Sequence, residues 1–151
     1  MNIQQDFSEF LQLLGKFDVD YMVVGGYAVA VHGYPRFTKD LDVFYNNDAE
    51  NSKRLKRALL AFGFPPDHLK DELFSEEGTV IQFGAPPCQI DLLNQISGVP
   101  YAEAAGHVVT AKYGEVEIRV IGREQLLKNK TSTDRLKDKA DAEEIRRADR
   151  D

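Results

Sequence analysis

The apolar run Tyr21-Met22-Val23-Val24 stops on a glycine pair, Gly25-Gly26, and a second short run, Leu41 to Tyr45, carries Asp42 and is preceded by Asp40. Four apolar residues bounded by Gly-Gly are too few for a helix and read as a buried strand. Tyr27 to His32 reads as a two-turn helix, closed by Gly33, with Pro35 forbidding its continuation. Strand, tight turn, short helix and strand are therefore imposed in succession. Alternation along the second strand then places Asp40 and Asp42 on one face and Leu41 and Val43 on the other.

The remaining pattern builds outward from this unit. Phe7, Phe10, Leu11 and Leu14 predict an amphipathic helix over residues 3–16, ended by Gly15 and the polar stretch Asp18–Asp20. Asn46-Asn47-Asp48 makes a turn and an N-cap for a helix from Ala49, stopped by Gly63 and Pro65-Pro66. Thr79–Phe83 and Gln89–Leu93 read as strands around Gly84-Ala85-Pro86-Pro87. A short helix or loop is expected after Pro100. His107–Lys112 and Glu115–Ile121 read as a hairpin joined at Tyr113-Gly114. Helices over 123–130 and 133–147 close the chain. The expected class is α+β: a mixed sheet of about five strands with helices packed mainly on one face, in a single domain spanning residues 1–151.

Composition limits the partners. A hydrophobic fraction of 42% and a charged fraction of 29% belong to an ordinary soluble globular chain. With a net charge of −6 there is no strongly basic surface to grip long nucleic acid, so a small or locally bound partner is favoured. Acidity does not exclude RNA on one basic face. The single cysteine, Cys88, excludes an intrachain disulfide and a cysteine-built zinc site. Neither a signal peptide nor an apolar stretch of about 18 residues is present, so the expectation is a cytoplasmic chain with no membrane partner.

Two carboxylates about 7 Å apart on one strand face repel one another unless a cation lies between them. Hard oxygen ligands, with water and phosphate completing the shell, suit Mg²⁺. The plain reading of Asp40 and Asp42 is a pair of solvated edge-strand aspartates. Gly25-Gly26, at a strand-to-helix junction, lets backbone N–H groups approach a phosphate, or is simply a tight turn. Arg36 and Thr38 precede the acidic strand and can reach phosphate, with Arg36 equally placed to pair with Asp40. His32 at a helix end reads as a packing or capping residue, and Cys88 as a small buried apolar one. Lys53, Arg54, Lys56 and Arg57 form the solvated side of their helix.

Taken together, Val24-Gly25-Gly26, a spacer over residues 27–39 and Asp40-Leu41-Asp42-Val43 resemble the signature of the DNA polymerase β-like nucleotidyltransferase superfamily. Ala28, Val29, His32, Gly33, Arg36 and Thr38 make the local version most similar to the minimal abortive-infection (AbiE-type) toxin nucleotidyltransferases. The resemblance implies a third carboxylate on a neighbouring strand, matched by Asp91 in Gln89-Ile90-Asp91-Leu92-Leu93. It extends to Gly122-Arg123-Glu124-Gln125-Leu126-Leu127 and to the helix holding Lys130, Arg135, Lys137, Asp138 and Asp141. It implies catalytic and metal-binding roles for Asp40, Asp42 and Asp91 with two Mg²⁺ (or Mn²⁺) ions. Nucleotide-binding roles fall to Gly25, Gly26, Arg36, Thr38, Lys130 and Lys137. Arg135, Asp138 and Asp141 would orient those groups; Asp138 and Asp141 can equally pair with Arg135, Lys137 or Lys139 on a solvated helix. The implied activity moves a nucleoside monophosphate from an NTP such as ATP to an acceptor hydroxyl. RNA, protein or a small molecule is the acceptor, and a toxin–antitoxin pair with a cognate protein partner is one setting. The alternative is a non-catalytic binding module of the same fold.

Overall fold

The computed structural model describes residues 4–33, 38–84 and 88–150. Helix α1 (Gln5–Lys16) buries Phe7, Phe10, Leu11 and Leu14, the stripe its periodicity predicts. Gly15 lies inside this helix instead of ending it; the chain turns at Asp18, which takes φ +56°. Strand β1 (Tyr21–Val24) is buried along its whole length. Helix α2 (Gly25–His32) begins at the glycine pair, two residues earlier than expected. It is followed by β2 (Asp40–Tyr45).

Helix α3 (Ala49–Phe62) is capped as its sequence demands: the Asp48 carboxylate accepts from Asn51 N–H at 2.7 Å, and Gly63 takes the left-handed C-terminal position at φ +118°. A single 3-10 turn (Pro66–His68) and the short α4 (Asp71–Ser75) come next, both unread in the sequence. Five residues with one buried aromatic, Phe74, carry no detectable period. Strands β3 (Val80–Phe83) and β4 (Gln89–Leu93), helix α5 (Tyr101–Ala105), strands β5 (Val109–Tyr113) and β6 (Val116–Val120), and helices α6 (Arg123–Thr131) and α7 (Leu136–Arg150) complete the chain. The β5–β6 hairpin pairs Tyr113 with Val116, so its turn is Gly114-Glu115, with Gly114 at φ +60°.

Among the described residues all strands join one sheet of six, in the order β3-β4-β2-β1-β6-β5. The count is one above the expected five or so, since each of the six runs read as strands joins the sheet. Three pairs, β1–β2, β3–β4 and β5–β6, are antiparallel, while β1–β6 and β2–β4 are parallel.

One sheet face is apolar, carrying Leu41, Val43, Ile90 and Leu92, and α1 and α3 belong to it. Phe10 of α1 meets Phe62 of α3 and Phe83 of β3 edge to face at 5.5 and 5.3 Å. Such contacts strengthen a core beyond the area they bury. The opposite face carries Asp40, Asp42 and Asp91. There Phe44 is covered by Tyr101 at 4.9 Å, while the rest stays open toward α6 and α7. Among the described residues, no helix is long and apolar enough to cross a membrane.

Candidate active site

The parallel ladder between β2 and β4 brings Asp42 directly opposite Asp91, with Asp40 opposite Gln89. Paired residues on adjacent strands point to the same face about 4.8 Å apart. Two carboxylates far apart in sequence are therefore held side by side by backbone hydrogen bonds. On the other flank, Val24 of β1 is the register partner of Asp42, so the next residue, Gly25, lies against the Asp42 side chain. A Cβ on Gly25 would run into the Asp42 carboxylate, with Asp42 Cγ only 2.9 Å away, and Gly25 itself takes φ +68°. Space and backbone conformation both demand glycine here. Gly26 faces Thr38, whose methyl would stand 3.3 Å from an added Cβ. The structure thus gathers Gly25, Gly26, Thr38, Asp42 and Asp91 at one end of the sheet.

The carboxylates are in tension. Burial, then the charge of Asp91, a hydrogen bond shared with Asp91 and the charge of Asp40 push the Asp42 carboxyl up to about 7, while Lys130 draws it down. Asp91 is fixed by Gln82, whose Nε2 donates to its Oδ1 at 2.9 Å. A proton or a cation relieves the repulsion within this pair. The donor set fits a hard cation held by two protein carboxylates, with phosphate and water left to complete the shell. Among the described residues no three His, Cys, Asp or Glu side chains are gathered closely enough to cage an ion. Asp40, exposed at the start of β2, contributes charge to the pair.

Beyond Asp42 a cavity of about 520 Å³ runs from Val24 and Gly25 along Leu93 and Gln95–Gly98 to Asn129, Lys130, Thr133, Arg135 and Asp138. Its far wall is tied to α6: Asn129 Nδ2 donates to the Ser97 carbonyl at 2.9 Å, and Gly98, at φ +78°, packs so tightly on Ser132 that its Cβ would stand 2.7 Å from the Ser132 Cβ. Gln95, Ser97, Asn129 and Thr133 are lining residues that no short motif announced. The glycine at position 98, three residues before α5 begins, was the available hint, and it takes φ +78°.

Lys130 is buried and ion-paired with two carboxylates of α7: it donates to Asp138 Oδ1 at 3.1 Å and faces Asp141 Oδ2 at 3.3 Å. Thr133 Oγ1 donates to Asp138 Oδ2 at 2.6 Å. Burial raises the Asp138 carboxyl, but the hydrogen bonds from Thr133 and Lys130 outweigh it and hold the group below its ordinary range. Asp138 and Asp141 are therefore buried partners of Lys130, not members of a solvated helix face. Lys137 is exposed and does not line the cavity. Arg36 lies outside the described residues. His32 Nε2 donates to the Ile121 carbonyl at 2.7 Å, a packing role, and Cys88 is half-buried against the core. Arg54 and Lys56 pair with Glu50 and Asp71 at the surface. A second, more apolar cavity of about 580 Å³, lined by Phe7, Phe62, Phe64 and Phe83, contains none of the three aspartates.

No protein-family profile and no curated protein sequence matches the chain. Solved structures do. Lincosamide antibiotic adenylyltransferase LnuA, in its lincomycin-bound crystal structure, superposes with a TM-score of 0.55 at 14% identity, covering 97% of this chain and 98% of that one. An antigenic nucleotidyltransferase-like protein from Paracoccidioides brasiliensis gives 0.54 at 16% identity, over 91% of this chain and 71% of its own. At such identities the likeness is one of fold. The chain has the α+β fold of nucleotidyltransferases.

Proposed function

We propose that this protein is a metal-dependent nucleotidyltransferase, moving a nucleoside monophosphate from an NTP to an acceptor hydroxyl. The observation that carries the reading is the Asp42–Asp91 pair, held in register on the open sheet face with Gly25 pressed beneath it. A pair of like charges kept together by the backbone, beside a turn with no side chain in the way, suits a cation–phosphate complex.

Asp42 and Asp91 would hold Mg²⁺ (or Mn²⁺), with Asp40 supplying further negative charge beside them. The ions, when bound, acidify the attacking hydroxyl and neutralise charge on the triphosphate. Backbone N–H groups at Gly25 and Gly26, with Thr38 beside them, orient the phosphates. The acceptor oxygen forms a bond to the α-phosphorus, the α–β anhydride bond breaks, pyrophosphate leaves, and the acceptor proton passes to Asp91.

The sequence resemblance supports RNA or protein as acceptor and a toxin–antitoxin setting with a cognate partner. The lincosamide adenylyltransferase of the same fold acts on an antibiotic, so small hydroxylated molecules belong in the acceptor panel as well. Incubation with each α-labelled NTP, Mg²⁺ and cell extract should label one acceptor class and release pyrophosphate. Asp42→Asn should abolish transfer while leaving the circular dichroism spectrum unchanged. Wild-type turnover in that variant would overturn the mechanism.

A further inference from the structure

Two cations among the described residues line the cavity beside Asp42, and the structure treats them differently. Lys130 has a side chain only 10% exposed and is already matched by two carboxylates, at 3.1 and 3.3 Å. Arg135 is 72% exposed, and its ion pair with Asp138 is a loose one, Nε to Oδ2 at 3.9 Å. That same Asp138 oxygen already accepts from Thr133 at 2.6 Å.

Lys130 has committed its charge to two buried carboxylates, which leaves at most one of its three N–H donors for an incoming anion. Engaging Arg135 costs only a long contact at the surface, to a carboxylate that keeps its other donors. The guanidinium also offers a planar, two-pronged donor set that matches phosphate oxygens, which an ammonium does not.

We propose that Arg135 is the residue that grips the polyphosphate tail of the nucleotide, and that Lys130 is an internal counter-charge positioning the α6–α7 corner. This reverses the roles the sequence resemblance implies for the two residues. It rests on the nucleotidyl-transfer reading of the cavity.

The test is equilibrium binding of Mg²⁺–NTP and of Mg²⁺–tripolyphosphate to the full chain and to Arg135→Ala, with Lys130→Met as the comparison. Removing one charge-assisted contact should weaken both ligands about ten- to a hundredfold in Arg135→Ala, with Tm unchanged. Arg135→Lys should recover part of the loss. Lys130→Met should lower Tm.

Equal binding of both ligands by wild type and Arg135→Ala would overturn the assignment while leaving the nucleotidyl-transfer reading intact. A loss of transfer to the acceptor without any loss of nucleotide or tripolyphosphate binding would also overturn it, because Arg135 would then serve the acceptor. If wild type binds no nucleotide with Mg²⁺, the functional reading itself fails, and the assignment falls with it.

Discussion

Gly25 and Asp42 define each other. The carboxylate occupies the space where any other residue at 25 would place its Cβ, and φ +68° already excludes most side chains. Gly25→Ala should therefore cost about 1–2 kcal/mol from left-handed strain alone, with a further loss from displacing Asp42. Urea denaturation checks the first effect, and Mg²⁺–nucleotide titration the second. Asp42 also sets a pH dependence. Its carboxyl rises from an ordinary 3.8 to about 7 in the folded chain, so the native state holds this proton more tightly than the unfolded state. The group's contribution to stability is full below about 4 and is lost as pH rises through about 7. Without divalent ions, Asp42→Asn should thus have the higher Tm at alkaline pH, and the difference should shrink on acidification. A Tm gap independent of pH would contradict the assigned cause. Both aspartates of β2 were legible from alternation alone. That Asp91 stands beside Asp42 came only through the family resemblance, because strand parity says nothing about which distant strand will lie alongside.

At the level of elements, α6 and α7 are locked by a buried charge cluster rather than by apolar surface alone. Asp138 and Asp141 are three residues apart, so the sequence places them on one helix face. Their partner depends on how the chain bends between residues 131 and 136, which spacing does not encode. Asp141→Ala would leave Lys130 with one carboxylate and should cost about 3 kcal/mol, the scale of a broken buried pair. Replacing Lys130, Asp138 and Asp141 together by apolar residues of similar volume should restore much of the stability. Calorimetry across the set tests this, and a single variant as stable as wild type would show the cluster to be dispensable. The start of α2 was hidden for a related reason. Glycine has poor helix propensity, so Gly25-Gly26 reads as a turn although it supplies the first residues of the helix.

For the whole molecule, the fold class followed from short apolar runs punctuated by glycine and proline, while strand order did not. Neither β1 beside β6 nor β2 beside β4 is a neighbour in sequence, and both pairs are parallel, which no local signal specifies. The second of these pairings has a kinetic meaning. Asp42 and Asp91 meet only after the chain between them, with α3, α4 and β3, has looped back to seat β4 against β2. Contacts of such long sequence separation form slowly, and a slip of one residue would turn Asp91 away from Asp42. On dilution from denaturant, helical signal should therefore return before the capacity to bind Mg²⁺–nucleotide. During synthesis, the emerging chain should stay incapable of binding the metal–nucleotide complex until β4 has left the ribosome and docked.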